Sequence, residues 1–161
     1  MRLVVISDTH LPRGARRLPD ECLRALEQAD LILHAGDFVS FAVLEELRAL
    51  APVEGVYGNM DDTALRATLP DREVVLAEGV RIGLVHDPGP RVEREARLAG
   101  AFPDCGAVVY GHTHIPQVAK RAGVWILNPG SPTERRRGPS RAFLLLDVTD
   151  TELRPQLREL P

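Results

Sequence analysis

The residues of this chain that could do chemistry sit at the ends of apolar runs. Asp8-Thr9-His10 follows Leu3-Val4-Val5-Ile6, Gly36-Asp37 follows Leu31-Ile32-Leu33, and Gly58-Asn59 follows Val53 to Tyr57. His86 follows Ile82-Gly83-Leu84-Val85, and Gly111-His112-Thr113-His114 follows Val108-Val109-Tyr110. Five times a short apolar strand runs into Asp, Asn or His. In a sheet-based enzyme such ends lie along one edge, where residues distant in sequence meet. The candidates are Asp8, His10, Asp37, Asn59, His86, His112 and His114: two carboxylates, one amide and four imidazoles. One tetrahedral zinc takes about four ligands, so the set is too large for it. Two ions sharing a carboxylate fit the number. Oxygen and nitrogen donors without thiolate suit Mn²⁺, Fe²⁺, Zn²⁺ or Ni²⁺ and argue against a structural zinc. A pair of ions about 3.5–4 Å apart lowers the pKa of water and clamps a phosphoryl oxygen, so phosphate ester hydrolysis is the chemistry to expect.

Each piece alone has a plainer reading. Gly36-Asp37 and Gly58-Asn59 are ordinary turn dipeptides, Asp8 and His10 could cap a turn, and an isolated His pair is more often surface than ligand. Their joint occurrence, each after a strand, carries the chemical reading. His34, the fifth histidine, has no place in the ligand pattern and reads as structural or as a support behind the ligands. Asp61 is expected to brace a ligand or its loop rather than bind metal. Arg13 and Arg135 to Arg137 could meet a substrate phosphate, but an exposed arginine run is more often solvated loop and they are left unassigned; Trp125 and Phe143 read as core.

The elements that must position these residues follow from periodicity and punctuation. Residues 2–7 read as a buried strand and 19–29 as a helix, with Pro19 in its first turn and Leu23, Leu26 and Ala29 on one face. A strand at 31–34 and a helix at 41–50 follow, the latter capped by Ser40. Strand 53–57 precedes a hairpin of 73–77 and 80–85 about Glu78-Gly79. A polar helix over 91–100 and a strand at 107–110 lead to the His pair. Strands at 116–120 and 123–128, joined by Arg121-Ala122, precede a loop over 129–140. Strands at 141–148 and 152–158 finish the chain. Alternation in the first half and strands in the second argue for two packed sheets with helices outside.

Composition excludes several classes. The 161 residues are enough for one domain with a sizeable core, and 44% apolar with 27% charged residues is ordinary for a globular protein. A net charge of −3 offers no field for extended nucleic acid. No apolar run approaches the roughly 20 residues of a membrane span, and the N-terminal run is broken too early for a signal peptide. Cys22 and Cys105 lack metal-ligand spacing and suit a reducing compartment. A cytoplasmic protein is the expectation.

Taken in order, Asp8-x-His10, Gly36-Asp37, Gly58-Asn59-x-Asp61, His86 and Gly111-His112-x-His114 resemble the motifs of the calcineurin-like metallophosphoesterase superfamily. Within it the chain is similar to the small bacterial and archaeal YfcE-like phosphodiesterases, whose later motif resembles Asn128-Pro129-Gly130-Ser131. The resemblance implies an α/β (α+β) fold, a four-layer αββα sandwich forming a single metallophosphoesterase domain over residues 1–161. It implies that Asp8, His10 and His114 hold one ion, that Asn59, His86 and His112 hold a second, and that Asp37 bridges them. The implied reaction is in-line attack on phosphorus by a metal-bridging hydroxide. Mn²⁺ is the ion such enzymes suggest, with Ni²⁺, Fe²⁺ or Zn²⁺ permitted.

Two departures bear on substrate. Larger family members carry His after the motif Asn, where this chain has Met60, and a thioether cannot donate a proton. No side chain is therefore assigned as general acid, which favours diesters or activated esters. His86-Asp87-Pro88-Gly89 also departs from the Gly-His that many relatives place after the ligand. The expected partner is a small phosphate ester, with pairing into a homo-oligomer suggested by family analogy. The alternative is a protein-binding scaffold of the same fold, as in the retromer subunit that resembles these enzymes. A scaffold has no need to keep every ligand, and this chain keeps all of them.

Overall fold

The computed structural model describes residues 1–150 and 152–161. The chain runs β1 (Arg2–Ile6), α1 (Asp20–Glu27), β2 (Leu31–His34), α2 (Phe41–Arg48), β3 (Val53–Gly55), α3 (Thr63–Thr68), β4 (Arg72–Ala77) and β5 (Val80–Val85). It continues through α4 (Arg94–Ala101), β6 (Ala107–Tyr110), β7 (Gln117–Arg121), β8 (Val124–Asn128), β9 (Arg141–Val148) and β10 (Leu153–Leu160). Two five-stranded sheets result, ordered β10-β9-β1-β2-β3 and β4-β5-β6-β8-β7.

Period-two alternation builds the layers. In β1, Leu3 and Val5 enter a core that also holds Ile82, Leu84, Val109 and Leu127 of the other sheet. Val4 and Ile6 point the opposite way, into a core with Leu26 of α1, Leu44 of α2 and Leu65 of α3. The outer face of the second sheet packs Val108 and Ile126 against Leu98 and Phe102 at α4. The order is therefore helices, sheet, sheet, helix, the αββα sandwich expected.

Both sheets have parallel centres. β1, β2 and β3 run parallel, with Ile6 opposite His34 and His34 opposite Gly55. β5, β6 and β8 do the same, with Val85 opposite Tyr110 and Val109 opposite Leu127. Parallel strands end on the same side, so the loops after all of them open onto one edge. Antiparallel β9 and β10 extend the first sheet beyond β1, and antiparallel β4 and β7 flank the second on either side.

Local chemistry explains where boundaries differ from expectation. Ser40 does cap α2, its side chain accepting from Ala42 N. Pro19 stands just before α1 in extended geometry rather than in its first turn. α3 has no counterpart in the sequence reading. Six residues are too few for a periodic signal, and Asp62 starts it by accepting from Leu65 N at 2.8 Å. α4 begins at Arg94, not 91, because Glu93 is left-handed at φ +51°. The turn between β7 and β8 is Ala122-Gly123, both at positive φ, rather than Arg121-Ala122. Glu78-Gly79 makes the expected hairpin in the same way. No helix among the described residues is long and apolar enough to cross a membrane.

Candidate metal centre

The strand-end edge gathers all the candidate side chains. Asp8 Oδ1 lies 3.2 Å from His114 Nε2 and 3.8 Å from His10 Nε2. Asp37 Oδ2 lies 3.5 Å from His10 Nε2 and 3.4 Å from His86 Nε2, between the two. Asn59 Oδ1 approaches His86 Nε2 at 3.0 Å and His112 Nδ1 at 3.1 Å. Two groups have donor atoms all within 4.8 Å of one another: Asp8, His10 and His114, and Asp8, Asp37 and His86. Asp8 belongs to both, which the sequence reading did not foresee. Asn59 and His112 join through the contact with His86 and are exposed, whereas the other five are buried.

The backbone is bent to bring these groups together. Asp8, His10, Asp37, His112 and His114 have φ of 54°, 46°, 61°, 68° and 58°. A non-glycine residue in this region costs roughly 1–2 kcal/mol, and such strain gathered in one place marks a functional site. Glycines permit the close approach. A Cβ on Gly58 would collide with Asp37 Oδ1, and one on Gly111 with Ser7 Oγ and the Ala35 carbonyl.

Hydrogen bonds aim the donor atoms. Asp8 Oδ2 accepts from Ser7 Oγ at 2.6 Å and from His112 N at 3.0 Å, which turns Oδ1 toward the imidazoles. Asp37 Oδ1 accepts from Met60 N at 2.8 Å, which leaves Oδ2 facing the cluster. His86 Nδ1 donates to the Ala35 carbonyl at 2.7 Å, so Nε2 is presented as a lone pair. Asp8 Oδ1, His10 Nε2 and His114 Nδ1 are buried with no hydrogen-bond partner among the described residues. Each such atom costs about 1–3 kcal/mol. Asp8 Oδ1 and His10 Nε2 face each other at 3.8 Å, a carboxylate oxygen and an imidazole nitrogen that a divalent cation would share, while His114 turns Nε2 to Asp8 and Nδ1 to Glu134, so the residues fit a metal.

Electrostatics point the same way. Burial alone would raise the Asp8 carboxyl, but the imidazoles of His10, His114 and His86 outweigh it and hold the group well below the usual carboxylate range. Burial also acts to raise Asp37, and His86 and the Met60 N–H reverse that. Burial would lower His86, yet Asp37 and Asp8 raise it. The two carboxylates are thus held anionic beside the imidazoles.

Supporting residues divide into those expected and those missed. Asp61 accepts from Asp37 N at 3.1 Å, Gly58 N at 2.7 Å and Val39 N at 2.6 Å, so it ties the loop after β2 to the loop after β3. His34 is fully buried, accepts from Gly36 N at 3.1 Å, meets Thr9 Oγ1 at 3.1 Å and stacks on Phe38. Its place beneath the loops matches the structural reading. The roles of the 128–134 loop were not legible. Ser131 Oγ donates to the Asp8 carbonyl and Thr133 Oγ1 to the Thr9 carbonyl, both at 2.8 Å. Asn128 Nδ2 donates to Gly111 O at 3.2 Å and Thr113 Oγ1 at 3.0 Å. Glu134 Oε2 lies 3.9 Å from His114 Nδ1 and pairs with Arg16 at 3.5 Å, while its other oxygen pairs with Arg136 at 3.2 Å. Only the recurrence of Asn128-Pro129-Gly130-Ser131 as a motif signalled this loop. Phe143 is core, and Trp125 packs at the core's edge.

Comparison with known proteins agrees with this geometry. Residues 1–151 match the family model described as the calcineurin-like phosphoesterase superfamily domain. A probable metallophosphoesterase of Methanothermobacter thermautotrophicus is 40% identical over 150 residues, covering 91% of this chain and 87% of that protein. A phosphodiesterase of Methanocaldococcus jannaschii is 28% identical over 142 residues, covering 81% of this chain and 83% of its own. Among solved structures, wild-type Vps29 of Entamoeba histolytica complexed with Zn²⁺ superposes with a TM-score of 0.80 at 27% identity, over 99% of this chain and 98% of that one.

Proposed function

The chain belongs to the calcineurin-like phosphoesterase superfamily, and we propose that it is a divalent-metal-dependent phosphodiesterase acting on small phosphodiesters in the cytoplasm. The observation that carries this is the convergence of Asp8, Asp37 and three imidazoles around buried, unpartnered donor atoms. Asp8, His10 and His114 would hold one ion, Asn59, His86 and His112 the other, with Asp37 between them. Divalent ions bound there supply Lewis acidity toward a phosphoryl oxygen and lower the pKa of water toward neutrality; Mn²⁺ suits the donors.

The protein's own residues do the positioning. Asp61 and the Met60 N–H fix the Asp37 carboxylate so that one oxygen is spent on the backbone and the other faces His10 and His86. Ser131 and Thr133 hold the strained Asp8-Thr9 backbone by its carbonyls. Exposed Asn59 and His112 open the centre to substrate on one side only. The Met60 side chain, 54% exposed beside them, has no proton to give a leaving oxygen. Leaving groups that depart without protonation, and diesters rather than alkyl monoesters, follow from that.

The likeness to Vps29, which is itself complexed with Zn²⁺ in that structure, extends to a scaffold reading, so turnover rather than the presence of ligands separates the two. The two separate in one experiment. Protein stripped with chelator and restored with Mn²⁺ should hydrolyse bis(p-nitrophenyl) phosphate faster than p-nitrophenyl phosphate. A preference for the monoester would mean that another group supplies the proton. Neither turnover nor bound metal would favour the scaffold.

A further inference from the structure

A cleft of about 550 Å³ leads away from the centre at Asn59, His86 and His112, a size that holds a ligand much larger than one phosphate. Val85, Leu98 and Ala101 give it an apolar wall, and three arginines reach it: Arg66, Arg72 and Arg97. Two of these are already committed. Arg66 donates to Asp61 O at 3.0 Å and Asn59 O at 2.8 Å. Arg97 donates to the carbonyls of Val92, Pro88 and Pro90 at 2.9, 2.8 and 2.7 Å, holding the loop after His86.

Arg72 differs. Its guanidinium lies 4.8 Å from the centre of the Phe102 ring, and no hydrogen bond or ion pair engages it among the described residues. Asp71 also lines the cleft but makes no ion pair with it. Register fixes where it stands: Arg72 is paired with Val85, the residue before His86, on the neighbouring strand. A guanidinium lying over an aromatic ring with no hydrogen-bond partner has its N–H donors available, and two of them can take a phosphate by parallel bonds.

We propose that Arg72 binds a second phosphate of the substrate, on an arm that packs a ring against the Val85, Leu98 and Ala101 wall. The substrate class is then a phosphodiester with a nucleoside-sized arm carrying a further phosphate. This rests on the phosphodiesterase reading of the neighbouring centre and adds the specificity determinant to it.

The test uses two p-nitrophenyl esters of thymidine 5′-phosphate that differ only in a 3′-phosphate. With Mn²⁺-loaded wild type, the 3′-phosphorylated ester should show a kcat/KM about tenfold higher, the worth of one charge-assisted pair. Arg72→Met, which keeps a stem on Phe102 and removes the charge, should bring the ratio close to one, and Arg72→Lys should restore part of it. Calorimetry of thymidine 3′,5′-bisphosphate against thymidine 5′-monophosphate should show the same ratio and the same loss without needing turnover. Hydrolysis of both esters with no preference, or a preference that survives in Arg72→Met, overturns the proposal and leaves the phosphodiesterase reading standing. Arg72-dependent binding of the bisphosphate with neither ester hydrolysed would sink the catalytic reading instead and keep the cleft assignment.

Discussion

The two halves of the centre are built differently. Asp8, His10 and His114 are 0%, 2% and 1% exposed, and their loops are bound to the 128–134 segment. On the other side only His86 is buried, while Asn59 and His112 stand in solvent at the mouth of the cleft. The inner half is set by the fold. Its donors have few alternative positions, because tightly packed strand ends and strained backbone surround them. The outer half is open to solvent and to the cleft. The candidate centre therefore combines a buried side with an accessible one, and Asp37 stands where they meet.

Cutting that junction has the largest expected effect. Asp37→Ala should lower turnover by about a thousandfold, as loss of several kcal/mol of transition-state stabilisation implies, and reduce bound metal below two per chain. Asp61→Ala, which only frees the backbone around Asp37, should cost about 10–100-fold. Equal losses in the two variants would show that Asp61 acts as more than a brace.

Comparing His114→Ala with His112→Ala sharpens the contrast directly. Calorimetric titration with Mn²⁺ should lose its tighter class of site in the first and its weaker class in the second. Chelator-treated His114→Ala should also be destabilised by about 1–3 kcal/mol, since it opens a buried space beside Asp8, whereas exposed His112→Ala should unfold like wild type. The reverse order of affinities would refute the idea that burial sets the tighter seat.

The smallest effect concerns pH. Burial holds the His34 imidazole down at about 3, against an ordinary 6.5. The unfolded chain therefore takes up a proton below about pH 6.5 that the folded chain refuses. Stability from this group is complete above that pH and is lost as pH falls toward 3, by at most about 1.4 kcal/mol per unit. Burial acts to lower His86 as well, but Asp37 and Asp8 raise it, so it works in the opposite sense. Urea unfolding of chelator-treated protein at pH 7 and pH 5 should accordingly show a smaller drop in His34→Gln than in wild type. Identical drops would mean that His34 is not the group responsible.

How much of this was legible follows from the kind of signal each residue gives. β1, β2, β5 and β6 read plainly because buried parallel strands are near-continuous apolar runs. The candidate residues read plainly because each follows such a run, so sequence order alone puts them on a common edge. α3 was hidden because six residues show less than two full turns, and its start depends on Asp62, which caps α3 and also accepts from Phe41 N at 2.9 Å. Ser131, Thr133 and Glu134 were hidden because a residue that supports another across more than a hundred positions has no local pattern.

By itself the sequence determined the layer architecture, through alternation of apolar positions, and the identity of the residues that gather at the strand ends. Their donor types are those that suit hard or borderline cations. Tertiary structure alone decided the rest: that Asp8 faces both groups of donors, that Asp37 lies between His10 and His86, that one side is buried and the other open, and that Arg72 lines the same cleft as His86 with its guanidinium over Phe102. The reason is physical. Periodicity records which face of an element is apolar, a property of neighbours along the chain. Distance, exposure and a free guanidinium depend on how far-apart segments pack, and no local pattern records that.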